Sequence, residues 1–125
     1  MNKRTILLAD DDALLASLLN FRLEKAGYTV DHVLDGKEVK AYLSHSMPDI
    51  IVSDIMMPYF SGIELINHVR KELLSQTPII IISSAGNEEN VLSAFELGAN
   101  DFISKPVSPS ELLVRIAREL NKATI

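Results

Sequence analysis

Four groups in this 125-residue chain have side chains and spacings suited to chemistry. They are the acidic run Asp10-Asp11-Asp12, the single Asp54, the pair Ser83-Ser84, and Lys105 followed by Pro106. Each sits at the end of a short apolar run, so a fold that aligned those ends would bring them to one place. Carboxylates gathered in this way repel one another. Two unit charges ~4 Å apart cost roughly 4 kcal/mol at an effective dielectric of about 20. A hard divalent cation offsets that cost, and magnesium suits a few carboxylates while leaving room for phosphate oxygens. An ammonium and a hydroxyl at the same edge complete an oxyanion-binding site. A metal, a carboxylate nucleophile, an ammonium and a hydroxyl together describe phosphoryl transfer onto an aspartate.

The elements that must position these groups are five runs with strand character: Thr5–Ala9, Thr29–Val33, Ile50–Ser53, Ile79–Ile82 and Asp101–Ser104. The third and fourth are nearly continuous in Ile and Val, as strands buried on both faces are. Helical spacing fills the intervals. Leu14, Leu15, Leu18 and Leu19 make an apolar stripe, extended less regularly by Phe21 and Leu23 and stopped before Gly27. Lys37–Leu43 fits a weaker helix after Asp35-Gly36. Ile63, Leu65, Ile66, Val69 and Leu73 form another stripe, and Val91, Leu92, Phe95 and Leu97 precede Gly98. Leu112, Leu113, Ile116, Ala117 and Leu120 form the last. Asp12 reads as the N-cap of the first helix. Strands alternating with helices predict a doubly wound α/β domain, (βα) five times, with a parallel sheet and helices on both faces. Such sheets bind ligands at the carboxyl ends of their strands, where the four groups lie.

Bulk properties narrow the classes. The length is that of one domain, assigned here to residues 1–125. A net charge of −5 leaves no basic footprint for nucleic acid, so direct binding to it is not expected. With no cysteine, disulfides and thiolate metal sites are excluded. No apolar stretch approaches a transmembrane length, and the expectation is a cytoplasmic domain. His32, His45 and His68 show no ligand spacing and are expected at the surface, whereas Met56 and Met57 are expected to pack on their loop.

The segments ILLADDD, IIVSDIMMP, PIIIISSAG and GANDFISKP resemble the receiver domains of bacterial two-component response regulators across essentially the whole chain. The resemblance implies a flavodoxin-like fold with strand order 2-1-3-4-5. It implies that Asp54 accepts a phosphoryl group from a sensor histidine kinase or a phosphotransfer protein, with Mg²⁺ as cofactor. Asp11 would bind the metal directly, Asp10 largely through water, with Asp54 and the backbone carbonyl of Met56 completing the set. Lys105 would neutralise the phosphoryl group, and a cis peptide bond before Pro106 would aim it. Two serines compete for the hydroxyl position. Counting back from Lys105 and forward from Pro78 favours Ser83. Counting from Asp54 favours Ser84, but that count crosses the Leu74–Thr77 loop, where a one-residue deletion fits. Ser83 is therefore chosen, leaving the backbone N–H of Ser84 for a phosphoryl oxygen. Phe102 resembles the aromatic switch residue that swings inward when Ser83 moves toward the phosphoryl group, reshaping the surface of the fourth helix, fifth strand and fifth helix for an output domain or downstream partner.

Departures from the family pattern also carry expectations. Met56 and Ala85 supply no side-chain amide or carboxylate to orient an attacking water, so self-dephosphorylation is expected to lack help there. Asp101, Glu111 and Arg115 resemble charges used in dimer contacts, whereas Val91, Asn100 and Val107 break that pattern. Homodimerisation on phosphorylation is thus allowed without being required. Two other classes share the topology. A Mg²⁺-dependent aspartyl-phosphate phosphatase would carry a second aspartate where Met56 stands. An FMN-binding flavodoxin-like protein would need a Ser/Thr/Gly-rich first loop instead of DDDALLAS. The expectation is a switch that catalyses only its own phosphorylation and dephosphorylation. Whether it stands alone or belongs to a longer regulator is left open.

Overall fold

The structure is a computed structural model that describes residues 3–57, 59–84 and 88–123. Five strands, β1 (Thr5–Ala9), β2 (Thr29–Val33), β3 (Ile50–Asp54), β4 (Ile79–Ser83) and β5 (Asp101–Ser104), alternate with α1 (Ala13–Lys25), α2 (Gly36–Leu43), α3 (Gly62–Asn67), α4 (Glu88–Leu97) and α5 (Pro109–Ala123). All strand pairs are parallel, in the order β2-β1-β3-β4-β5. This is the expected doubly wound topology. β3 and β4 each run one residue further than the sequence suggests, so Asp54 and Ser83 are the last residues of their strands.

The alternation of side chains along a strand divides the core into two layers. Leu7, Ile51, Ile79 and Ile81 pack with Val39, Leu65 and Ala94 from α2, α3 and α4. Ile6, Ile50, Ile80 and Ile82 pack with Leu19, Leu112 and Ile116 from α1 and α5. Burying a side chain of this size contributes roughly 1.5–3 kcal/mol, so both layers hold the sheet rigidly beneath its strand ends.

Asp12 caps α1 as expected, accepting from the Leu15 N–H at 3.1 Å. The apolar stripe of α1 is corrected. Ala16, Leu19 and Leu23 face the sheet, while Leu14, Leu18 and Phe21 are exposed. The helix carries apolar residues on two faces, and only the one with the small Ala16 lies close against the strands. On α4, Leu92 and Phe95 are likewise exposed and Ala94 is the buried residue.

α3 continues into a π-helical turn, His68–Glu72, which turns Arg70 toward the loops at the far end of the sheet. Its guanidinium donates to the carbonyls of Ser75 (2.9 Å), Thr77 (2.7 Å) and Gly98 (2.9 and 3.1 Å), and to Asn100 Oδ1 at 2.8 Å. Asn100 Oδ1 also accepts from the Ile79 N–H, which ties the start of β4 to the same knot. Burial pulls the Arg70 guanidinium below its ordinary value, and among the described residues no carboxylate pairs with it. Arg70→Met keeps the stem but strips a donor from four acceptors. The expected cost is about 2–3 kcal/mol, read as a lower urea midpoint at unchanged slope. A midpoint equal to the wild type's would show that the clamp adds nothing.

Candidate functional site

The register of the sheet brings the acidic residues together. Ala9 pairs with Ser53, so Asp10, the next residue after β1, lies level with Asp54 at the end of β3. One oxygen from each of Asp10, Asp11 and Asp54 can be chosen so that all three lie within 4.8 Å of one another. Asp10 and Asp54 are buried, and Asp11 is exposed at the rim.

Lys105 reaches this cluster from the loop after β5, and its Nζ donates to Asp54 Oδ2 at 2.7 Å. The backbone fixes the approach, because the Lys105 N–H donates to the Ser83 carbonyl at 2.8 Å; the Lys105–Pro106 peptide that follows is cis, as expected. Asp54 Oδ1 accepts from the Met56 N–H at 3.0 Å. Behind it, Gly62 packs so closely that an added Cβ would stand 3.0 Å from the Asp54 carbonyl and 2.8 Å from Ile55 Cα. Three carboxylates face one ammonium, which leaves two formal negative charges, the charge of one divalent cation.

The protonation energetics follow that excess. Burial pushes the Asp10 carboxyl up, with the charges of Asp54 and Asp11 adding to it, against the Asp12 N–H and Lys105. For Lys105 burial lowers the ammonium, but the hydrogen bond and charge of Asp54, with Asp10 and Asp12, outweigh it and the net direction is upward. Asp10 Oδ1 accepts from the Asp12 N–H at 2.8 Å, whereas Asp10 Oδ2 is buried with no partner among the described residues. An orphaned buried carboxylate oxygen facing two further carboxylates is the donor set that a hard oxygen-binding cation such as Mg²⁺ requires.

The remaining predicted residues lie on the β4–β5 side. Ser83 is buried at the end of β4, its hydroxyl donating to the Ser84 carbonyl at 3.1 Å, and Ser84 is exposed just beyond. Phe102 is 38% exposed and meets Phe95 of α4 edge-on, the ring centroids 6.0 Å apart. A cavity of about 560 Å³ runs between them, lined by Ser83, Val91, Leu92, Phe95, Phe102 and Lys105. The Met56 side chain is exposed, which corrects the expectation that it packs. Met57 does pack, in the core layer beneath α2 and α3. Ala85 lies outside the described residues. Asp101 is held within the chain by Arg115 (2.7 Å) and Arg118 (2.9 Å), and the Arg118 contact was not legible in the sequence. The expected surface position of two histidines is also corrected. His68 is half-buried, edge-on to Phe60. His32 is half-buried too, and its Nε2 lies 2.8 Å from the Asp10 carbonyl.

Comparison with known proteins decides the family. A profile described as "Response regulator receiver domain" matches residues 6–117. The chain belongs to the response regulator receiver domain family. The transcriptional regulatory protein ResD of Bacillus subtilis is 37% identical over 123 residues, covering 98% of this chain and 50% of ResD. The phosphate regulon transcriptional regulatory protein PhoB of Pseudomonas aeruginosa is 37% identical, covering 95% of this chain and 52% of PhoB. This receiver domain therefore spans about half the length of those relatives. Among solved structures it resembles a Francisella response regulator receiver domain (35% identity, TM-score 0.87, 98% of this chain and 100% of that one). It also resembles a CheY-like receiver domain protein from Methanospirillum hungatei (27% identity, TM-score 0.91, 97% and 96% covered). Among the described residues, no helix of this receiver domain is long and apolar enough to cross a membrane.

Proposed function

We propose that this receiver domain, residues 1–125, is phosphorylated on Asp54 in a Mg²⁺-dependent reaction with a histidine kinase or phosphotransfer protein as donor. The observation that carries the reading is the Lys105–Asp54 ion pair at 2.7 Å beside the unpartnered Asp10 Oδ2. Asp10, Asp11, Asp54 and the Met56 carbonyl would hold Mg²⁺, which supplies Lewis-acid neutralisation of phosphoryl oxygens when bound. An Asp54 carboxylate oxygen attacks the donor's phosphorus in line with the leaving group. The new O–P bond forms as the donor's P–N or P–O bond breaks, and the leaving group departs with the electron pair. Lys105 turns from Asp54 Oδ2 to the incoming phosphoryl oxygens, and the Ser83 hydroxyl and Ser84 N–H donate to others. Such charge-assisted contacts are strong.

Ser83 now donates to its neighbour's carbonyl, and Phe102 lies outward on Phe95. Rotation of Ser83 toward a phosphoryl group opens space at the end of the cavity for the ring. The α4-β5-α5 surface then changes for an output domain or a downstream partner. Homodimerisation on that face would have to recruit charges already paired, since Asp101 binds Arg115 and Arg118 internally. The domain works in the cytoplasm, turns over no external substrate and makes no nucleic-acid contact of its own. With an exposed Met56 side chain beside Asp54, phosphoryl loss has no side-chain assistance from that position.

The test is intact mass after incubation with Mg²⁺ and a small acyl phosphate. One phosphoryl group per chain is expected with Mg²⁺ and none with EDTA. Incorporation that survives EDTA would remove the metal from the reading, and steady release of inorganic phosphate from phosphate esters would favour a phosphatase.

A further inference from the structure

The geometry points to His32 as a positioning residue for the metal-binding aspartates, an inference that rests on the Mg²⁺ reading above. His32 lies on β2, level with Leu8 of β1, and its ring reaches past the end of the neighbouring strand. Nε2 lies 2.8 Å from the Asp10 carbonyl oxygen. A carbonyl can only accept, so Nε2 carries the proton and the imidazole is the donor.

The bond matters because of which carbonyl it engages. The Asp10 carbonyl belongs to the peptide unit joining Asp10 to Asp11, so the imidazole fixes the plane from which both acidic side chains depart. The rest of Asp10 is held as well. Its N–H donates to the Val33 carbonyl at 3.1 Å and Oδ1 accepts from the Asp12 N–H at 2.8 Å. Three of its four polar groups are thus occupied, two of them by β2, and among the described residues Oδ2 alone is left without a partner. This preorganisation lowers the conformational cost of cation binding. Groups that orient metal ligands without touching the metal commonly change affinity 10- to 100-fold. His32 acts through a backbone carbonyl, so the lower end of that range applies.

Mg²⁺ binding is measured by titration calorimetry on wild type, His32→Leu and His32→Gln, and phosphorylation by acyl phosphate is followed at increasing Mg²⁺. His32→Leu is expected to weaken Mg²⁺ binding about tenfold, with a maximal phosphorylation rate at saturating Mg²⁺ close to wild type. His32→Gln, which keeps an N–H donor, is expected to recover most of the affinity. A loss of fold would instead lower both quantities, and thermal unfolding of each variant separates that case. Wild-type Mg²⁺ affinity in His32→Leu would overturn the inference, as would equal weakening by Leu and Gln. Absence of Mg²⁺ binding to the wild type would overturn the underlying metal reading and this inference with it.

Discussion

Asp54→Asn is expected to take up no phosphoryl group from an acyl phosphate or a phosphorylated kinase, at any Mg²⁺ concentration. The amide is isosteric, so the site keeps its shape, and the Met56 N–H can still donate to the remaining oxygen. Nucleophilicity is what disappears. A carboxylate attacks phosphorus with a full negative charge that Lys105 steers from 2.7 Å, whereas an amide oxygen has neither the charge nor the ion pair. Two further aspartates stand in the same cluster, but Asp10 is held by β2 and the Asp12 N–H and Asp11 lies at the rim, so neither substitutes for Asp54. Intact mass spectrometry reads the outcome directly. A phosphorylated Asp54→Asn variant would mean that another residue accepts the group.

Asp10→Asn is expected to split stability from function. Burial and the neighbouring carboxylates push the Asp10 carboxyl upward, so without a cation the native protein holds that proton more tightly than the unfolded chain does. Stability contributed by this group therefore falls as pH rises through the window between its ordinary and its raised value, and stays lower above it. Asn removes the charge that causes the penalty while its carbonyl oxygen still accepts from the Asp12 N–H. Without divalent cations near neutral pH, the variant should melt at a higher temperature than wild type, and this advantage should shrink as pH is lowered. Its Mg²⁺ affinity should drop roughly 10- to 100-fold. A variant that is less stable than wild type in EDTA would contradict the electrostatic account of the cluster.

β3 and β4 were legible because residues buried on both faces leave nearly continuous Ile and Val, as in Ile79–Ile82, whereas the strand order came from the family resemblance. The gathering of Asp10, Asp54, Ser83 and Lys105 was legible because all four fall at strand ends that the register aligns. The orientation of α1 was not. Leu14 and Leu18 share one helical phase and Leu15, Leu19 and Leu23 another, and the 3.6-residue period fits either until Ala16 is seen against the sheet. His32 and Arg70 were missed for a different reason. Apart from Asn100 Oδ1, their partners are backbone carbonyls, which every residue carries, so no side-chain pattern announces them. Phe95 against Phe102 joins two elements whose separation is fixed only by packing.

The most direct measurement is chemical trapping of the phosphorylated residue. An aspartyl phosphate is an acyl phosphate, and borohydride reduces it to homoserine, which peptide mass spectrometry locates. After incubation with Mg²⁺ and a small acyl phosphate, homoserine is predicted at position 54 and at no other aspartate. Homoserine at position 10 or 11, or no homoserine from a chain whose intact mass shows one added phosphoryl group, would contradict the assignment of Asp54 as the phosphoryl acceptor.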